Sequence, residues 1–314
     1  MAQPYAPATG APPLVSAPAR DLGHTPDARG NSRPAAVLGD KCRRADAPVQ
    51  GERNEDLRMP EAYVSTRYDG READTPAGAA PGPAGTTVPH PLDNAARASL
   101  TGPHAHFAER HGRVLRYPVE VSPWLALPDE PEPADWAGIA ALAGPGGEVP
   151  LLGHRGAAPQ GWEITFDVAG VQMADDGVAG APDPEAVPLG PADVPEMLDL
   201  VARTRPGPFM PRTIEMGTYL GIRRDGALIA MAGERLHPPG WTEISAVCTD
   251  PAFRGEGLAT RLILAVAHGI RERGERPFLH TGAGNTGAIR LYESLGFRHR
   301  LDTRFFGVRV PLGS

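Results

Sequence analysis

The chain has 314 residues, enough for two ordinary domains, and its 41% hydrophobic content supports a sizeable core in at least part of it. A net charge of −7 argues against a general grip on nucleic acid, which needs a basic face. Lysine occurs once, at Lys41, so a phosphate site elsewhere in the chain has to use arginine or backbone.

The N-terminus has neither a basic n-region nor an unbroken apolar stretch, and no run of about eighteen apolar residues occurs anywhere. The reading is a cytoplasmic protein with no membrane partner. Cys42 and Cys248 stand in segments of unlike composition, so neither a disulfide framework nor a cysteine zinc site is expected.

Residues 1–90 are rich in Pro, Gly and Ala, as in PAGAAPGPAG (76–85), and carry no sustained period, which predicts a disordered leader. Met59 is a candidate alternative start. A small α/β unit is expected over 91–178. It comprises a short helix in LDNAARASL (92–100), a strand in GRVLRYPVEV (112–121), a helix in PADWAGIAALAG (133–144), and strands in EVPLLGH (148–154) and GWEITFDV (161–168). ADDGVAGAPDPEA (174–186) reads as turns.

A second unit is expected over 186–312. AVPL (186–189) is a short strand. PADVPEMLDLVART (191–204) is a helix with Met197, Leu198, Val201 and Ala202 on one face. GTYLGIRRDGALIAMAGERL (217–236) is a hairpin turning at Asp225-Gly226, a dipeptide suited to a tight primed turn. After HPPGW comes the strand WTEISAVC (241–248). FRGEGLATRL (253–262) then opens a long helix with Leu258, Leu262, Val266 and Ile270 at four-residue steps. PFLHTG (277–282) is a strand, NTGAIRLYESLGF (285–297) holds a helix, and FRHRLDTRFFGVRV (297–310) reads as two terminal strands.

A helix N-terminus presents unpaired N–H groups and a positive dipole end. Gly255 and Gly257 remove the β-carbons that would hold an anion away from that backbone, Ala259 keeps the next position small, and Arg254 adds fixed charge. A Walker loop fails for want of lysine, and the dinucleotide fingerprint fails at its sixth place, Thr260. What remains is Arg-x-x-Gly-x-Ala, met by Arg254, Gly257 and Ala259 after an antiparallel strand.

With that loop and its element order, 186–310 resembles the GNAT superfamily of acyl-coenzyme A-dependent N-acyltransferases. That family's second signature, Asn-x-x-Ala-x-x-x-Tyr followed by Gly-Phe, is matched by Asn285, Ala288, Tyr292, Gly296 and Phe297. The resemblance implies an α/β fold of α+β type: a mixed, mostly antiparallel sheet flanked by helices. The unit over 91–178 would then be a degenerate half of similar fold. Glu243, eleven residues before Arg254, is placed like the catalytic glutamate of the glycine N-acyltransferase-like branch.

By that resemblance acetyl-CoA is the co-substrate. Its pantetheine would pair with backbone at Ala246, Val247 and Cys248, its diphosphate would rest on Arg254, Gly255, Glu256, Gly257, Leu258 and Ala259, and Asn285 would add an amide contact. Direct attack by an amine in a ternary complex implies Glu243 as base, its pKa raised by partial burial, with Glu234 and Glu215 in reserve. Val247 N–H would serve the oxyanion and Tyr292 would be the acid. The acceptor is an amine-bearing small molecule or peptide, and a homodimer stays open. The alternative is a catalytically silent coenzyme-binding module. Three other features are set aside: His104, His106 and His111 with Glu109 lack a metal-binding register, Cys248 fits packing better than an acyl-cysteine role, and TGAGNTG (281–287) reads as loop geometry.

Overall fold

The computed structural model describes residues 89–313. The leader expectation, with Lys41, Cys42 and Met59, lies outside the described residues. Among those described, no helix is long and apolar enough to cross a membrane.

The described chain opens with a 3-10 turn, Pro91–Asn94, and α1 (Ala95–Leu100). Three short strands follow: β1 (Glu109–His111), β2 (Val114–Arg116) and β3 (Leu125–Ala126). Pro118 has no N–H for a ladder, and the expected strand over 112–121 stops well before Val121, in a turn. Helix α2 (Pro133–Ala143) has Pro at its start and ends on Gly144, whose φ of 74° suits glycine. Next come β4 (Glu148–Leu152) and β5 (Glu163–Asp175). Then come β6 (Val187–Pro188), α3 (Val194–Thr204), β7 (Tyr219–Arg224), β8 (Ala227–Glu234) and β9 (Trp241–Thr249). The chain closes with α4 (Leu258–Glu272), β10 (Arg276–Gly282), α5 (Thr286–Ser294) and β11 (Phe297–Arg309).

These strands form one sheet in the order β1-β2-β3-β4-β11-β5-β10-β9-β8-β7-β6. The fold is α+β with a mixed, mostly antiparallel sheet, as expected. Only β3–β4 and β9–β10 run parallel. Asp225 and Gly226 both take positive φ, 50° and 83°, and turn the β7–β8 hairpin as the dipeptide predicts.

Three features differ from the reading of the sequence. The terminal segment is one thirteen-residue strand, β11, which pairs with β5 along its length and with β4 near its end. In α3 the fully buried positions are Met197 and Leu200, whereas Ala202 is exposed. The segments expected as separate units also share their interior. β5 inserts between β11 and β10, and one core cluster joins Leu92, Trp124 and Phe166 to Trp241, Phe278 and Phe305.

Helix α4 fixes the other core. Leu258, Leu262, Val266 and Ile270 are all buried, against Ile222, Ile229, Ile244 and Leu279 of the sheet. Truncating one such residue to alanine costs about 2–5 kcal/mol, so the N-terminus of α4 is anchored by the packing of its whole length.

Candidate active site

The central cleft follows from a failure of pairing. Parallel β9 and β10 are joined only from Trp241 to Glu243 opposite Arg276 to Phe278. Beyond that point they diverge, and a cavity of about 720 Å³ opens between Ile244–Thr249 and His280–Gly282. That is within the range of small-molecule and cofactor sites, roughly 300–1,000 Å³. Val168 of β5 and Phe305 of β11 also line it, so the N-terminal segment helps build its wall.

β9 is bulged on the cavity side. Its register with β8 shifts between the Met231–Cys248 and Gly233–Ser245 pairs, so Ala246 and Val247 face Ala232 alone. Ala246 has φ of 52°, which an L-residue adopts only when its surroundings hold it there. A bulge re-aims backbone groups, and this one turns at the three residues expected to meet the pantetheine, Ala246 to Cys248.

At the cavity's other end, a 3-10 turn (Pro251–Phe253) leads into Arg254 and the glycines. Gly255 and Gly257 have φ of 91° and 75°, and the space a β-carbon would occupy is open at both. Gly257 is the N-cap of α4, which has no side-chain cap, so the first N–H groups are left to a ligand. Arg254 is exposed and forms no ion pair among the described residues. Arg261, one turn on, is held by Asp183 and Glu185. Glu256 points to solvent. Leu258 has its side chain in the core and contributes only backbone to the mouth.

Helix α5 forms the facing wall. Asn285 caps it, accepting from Ala288 N at 3.3 Å, while its Nδ2 lies 3.4 Å from Thr281 Oγ1. Tyr292 lines the cavity, and burial pushes its phenol up to about 12, which keeps it protonated. Cys248 also lines the cavity, and burial pushes its thiol up to about 11, so it is no ready nucleophile.

Glu243 departs from expectation. It is 0% exposed and stands one side chain behind the cavity wall. Arg235 Nε donates to its Oε2 at 2.8 Å and Nη2 to its Oε1 at 2.7 Å; His280 Nδ1 lies 2.7 Å from Oε1. Burial alone would push this carboxyl up, but the charge and paired hydrogen bonds of Arg235, with His280, hold it well below the usual carboxylate range. The expected rise in pKa is therefore reversed.

The reserves lie elsewhere. Glu234 binds Arg273 at 2.7 Å, and Glu215 is lowered by its pair of hydrogen bonds from Arg212. His104 is buried, 3.0 Å from Tyr117 Oη and 3.2 Å from Met216 O, and burial pushes it down to about 3. Among the described residues no group of three or more His, Cys, Asp or Glu is placed to hold a metal.

Sequence reasoning missed three residues. Arg235 faces Glu243 across the HPPGW turn, eight positions earlier, and His280 follows Phe278 by one strand period; period-two alternation could have flagged both. Gln172 could not have been found, because β5 seemed to belong to another unit. Its Nε2 is 3.0 Å from His280 Nε2 and donates to Leu92 O at 2.8 Å, while its Oε1 accepts from Arg300 Nη1 at 2.9 Å.

Comparison with known proteins places the site in context. Residues 219–306, from β7 into β11, match the family model described as FR47-like protein. A mycothiol acetyltransferase of Thermomonospora curvata is 38% identical over 91 residues, 28% of this chain and 30% of that protein. An N-alpha-acetyltransferase RimI of Mycobacterium tuberculosis is 35% identical over 94 residues, 29% of this chain and 58% of that one. The matches thus span less than two thirds of these curated relatives. A crystal structure from Novosphingobium aromaticivorans, described as an acetyltransferase of the GNAT family, is similar over 70% of this chain and 98% of its own, with 41% identity and a TM-score of 0.65.

Proposed function

The chain belongs to the GNAT family of N-acetyltransferases, and from that premise we propose that it moves the acetyl group of acetyl-CoA to a primary amine by direct attack in a ternary complex. One observation carries this reading: the cradle of Arg254, Gly255 and Gly257 at the head of α4 opens into the same cavity that the divergence of β9 and β10 creates. A diphosphate fits where two glycines of positive φ leave room beside uncapped N–H groups and an unpaired guanidinium. From there a thioester would reach the bulge at Ala246 and Val247, whose backbone N–H would receive the oxyanion of the tetrahedral intermediate.

Tyr292 is the proposed acid. Burial holds the Tyr292 phenol in its protonated form beside the cavity, so a proton is at hand for the departing coenzyme thiolate. Glu243 acts as a fixed anion that positions Arg235 and His280, not as the proton acceptor. Kinship with the glycine N-acyltransferase-like branch rests on the Glu243–Arg254 spacing alone.

The test is release of coenzyme A thiol from acetyl-CoA across amino acids, polyamines, aminoglycosides and peptide N-termini, alongside calorimetric titration with acetyl-CoA. Binding with amine-dependent release supports the reading. Binding with no release from any amine would favour a silent coenzyme-binding module.

A further inference from the structure

The acetyl-transfer reading leaves the acceptor unnamed, and the two faces of the sheet narrow it. Val171, Met173 and Leu279 pack with α4 in one core cluster, whereas Val168, Phe278 and Phe305 pack with Trp124 in another. Period-two alternation therefore puts His280 and Gly282 of β10, with Gly170 and Gln172 of β5, on the face away from α4. A coenzyme whose diphosphate rests at the head of α4 comes to the gap between β9 and β10 from one face. Its acetyl group is then met from the other, beyond the part of the cavity that the coenzyme fills.

On that far face the wall is apolar. Phe305 stands opposite Val168 in the β11–β5 register, and Gly282 opposite Gly170 in the β10–β5 register. A β-carbon at Gly170 would lie 2.6 Å from Phe305 Cε2, so the ring covers that glycine, with Trp124 beside it at 6.0 Å between centroids. A β-carbon at Gly282 would meet nothing within 4 Å. The two facing glycines thus leave a hollow beside the Phe305 ring, open at Gly282. On the β9 side Met197 and Leu200 of α3 pack on Ala246 and Cys248, and the segment after that helix brings Pro206 and Pro208 to the same cavity. Of the nearby cations, Arg235 is bound to Glu243 and Arg205 is exposed to solvent.

We propose that Val168, Phe305 and Gly282 select the acceptor, and that it carries its amine on an uncharged apolar body of about ring size, which lies in the hollow at Gly282 against the Phe305 ring. The inference rests on the acetyl-transfer reading. Burying such a body takes apolar surface out of water and needs no polar partner. A body with an ether, a hydroxyl or a second ammonium finds no polar side chain among these three residues, and a buried polar atom left without a partner costs binding. Val168 and Trp124 come from the segment before β6, so that segment shapes which amine the site takes.

The experiment uses the full chain with saturating acetyl-CoA and follows thiol release to cyclohexylmethylamine and to its isostere in which the far ring carbon is an ether oxygen. The two bodies share a shape, so the comparison isolates polarity. The expected kcat/KM is higher for the cyclohexyl amine by about tenfold, the effect of burying one unpaired polar atom. Gly282→Val fills the hollow and should lower kcat/KM for the cyclohexyl amine by about tenfold or more. Gly282 does not take a positive φ, and valine suits a strand. Val168→Thr sets a hydroxyl on the wall and should bring the ratio of the two amines toward one, a second reading of the same hollow. Equal kcat/KM for the two amines would overturn the proposal and leave acetyl transfer standing. So would a preference that both variants keep, or release to other amines but to neither of these. Binding of acetyl-CoA with no thiol release to any amine would instead remove the acetyl-transfer reading, and the proposal with it.

Discussion

Arg235 grips Glu243 through two parallel hydrogen bonds, Nε to Oε2 at 2.8 Å and Nη2 to Oε1 at 2.7 Å, just behind the cavity wall. Removing one partner of such a buried pair leaves the other charge without compensation, which costs about 3–5 kcal/mol. Arg235→Met and Glu243→Gln should each lose about that much in urea unfolding, and the double variant much less than the sum. The folded-state pKa of Glu243 lies below its unfolded value of about 4.3. Its contribution is therefore in place above pH 4.3 and drains away as pH falls further. Glu243→Gln should flatten that acid limb.

His104 supplies an independent pH signature. Burial pushes its pKa down to about 3, whereas the unfolded chain protonates it near 6.5. Between those values the unfolded state binds more protons, so stability falls as pH drops through 6.5, by about 2 kcal/mol at pH 5. His104→Gln should remove that part of the slope in unfolding curves taken from pH 7 to pH 4. An unchanged slope would show that His104 does not titrate as described.

Tyr292→Phe tests the acid. Losing the phenol removes proton donation but keeps the ring, which packs edge-on to Phe297 at 6.1 Å between centroids. The expected result is a fall in kcat of about a hundredfold with unchanged affinity for acetyl-CoA. Equal loss of affinity would move Tyr292 from chemistry to binding.

Much of this site was legible in the chain. Arg254, Gly255, Gly257 and the period-four apolar face of α4 were readable because a helix start and its packing depend on neighbours in sequence. So was the hairpin at Asp225-Gly226. The Arg235–Glu243–His280–Gln172 chain was not, since it joins the residue just after β8 to β9, β10 and β5, and a strand's partners are set by topology rather than by local pattern. Reading β5 as part of another unit hid Gln172 and its contact with His280. The sign of the Glu243 shift was lost for the same reason: burial was foreseeable, the guanidinium facing it was not.

The central claim is that the head of α4 clasps the diphosphate of acetyl-CoA, and titration calorimetry of the native chain against Arg254→Ala tests it most directly. Arg254 is exposed and unpaired among the described residues, so the substitution should leave thermal stability within about 0.5 kcal/mol. Loss of its charge-assisted hydrogen bonds should weaken acetyl-CoA binding by about 1.5–3 kcal/mol, at least tenfold in Kd. Equal affinity in the two proteins, or no binding by the native chain, would contradict the account.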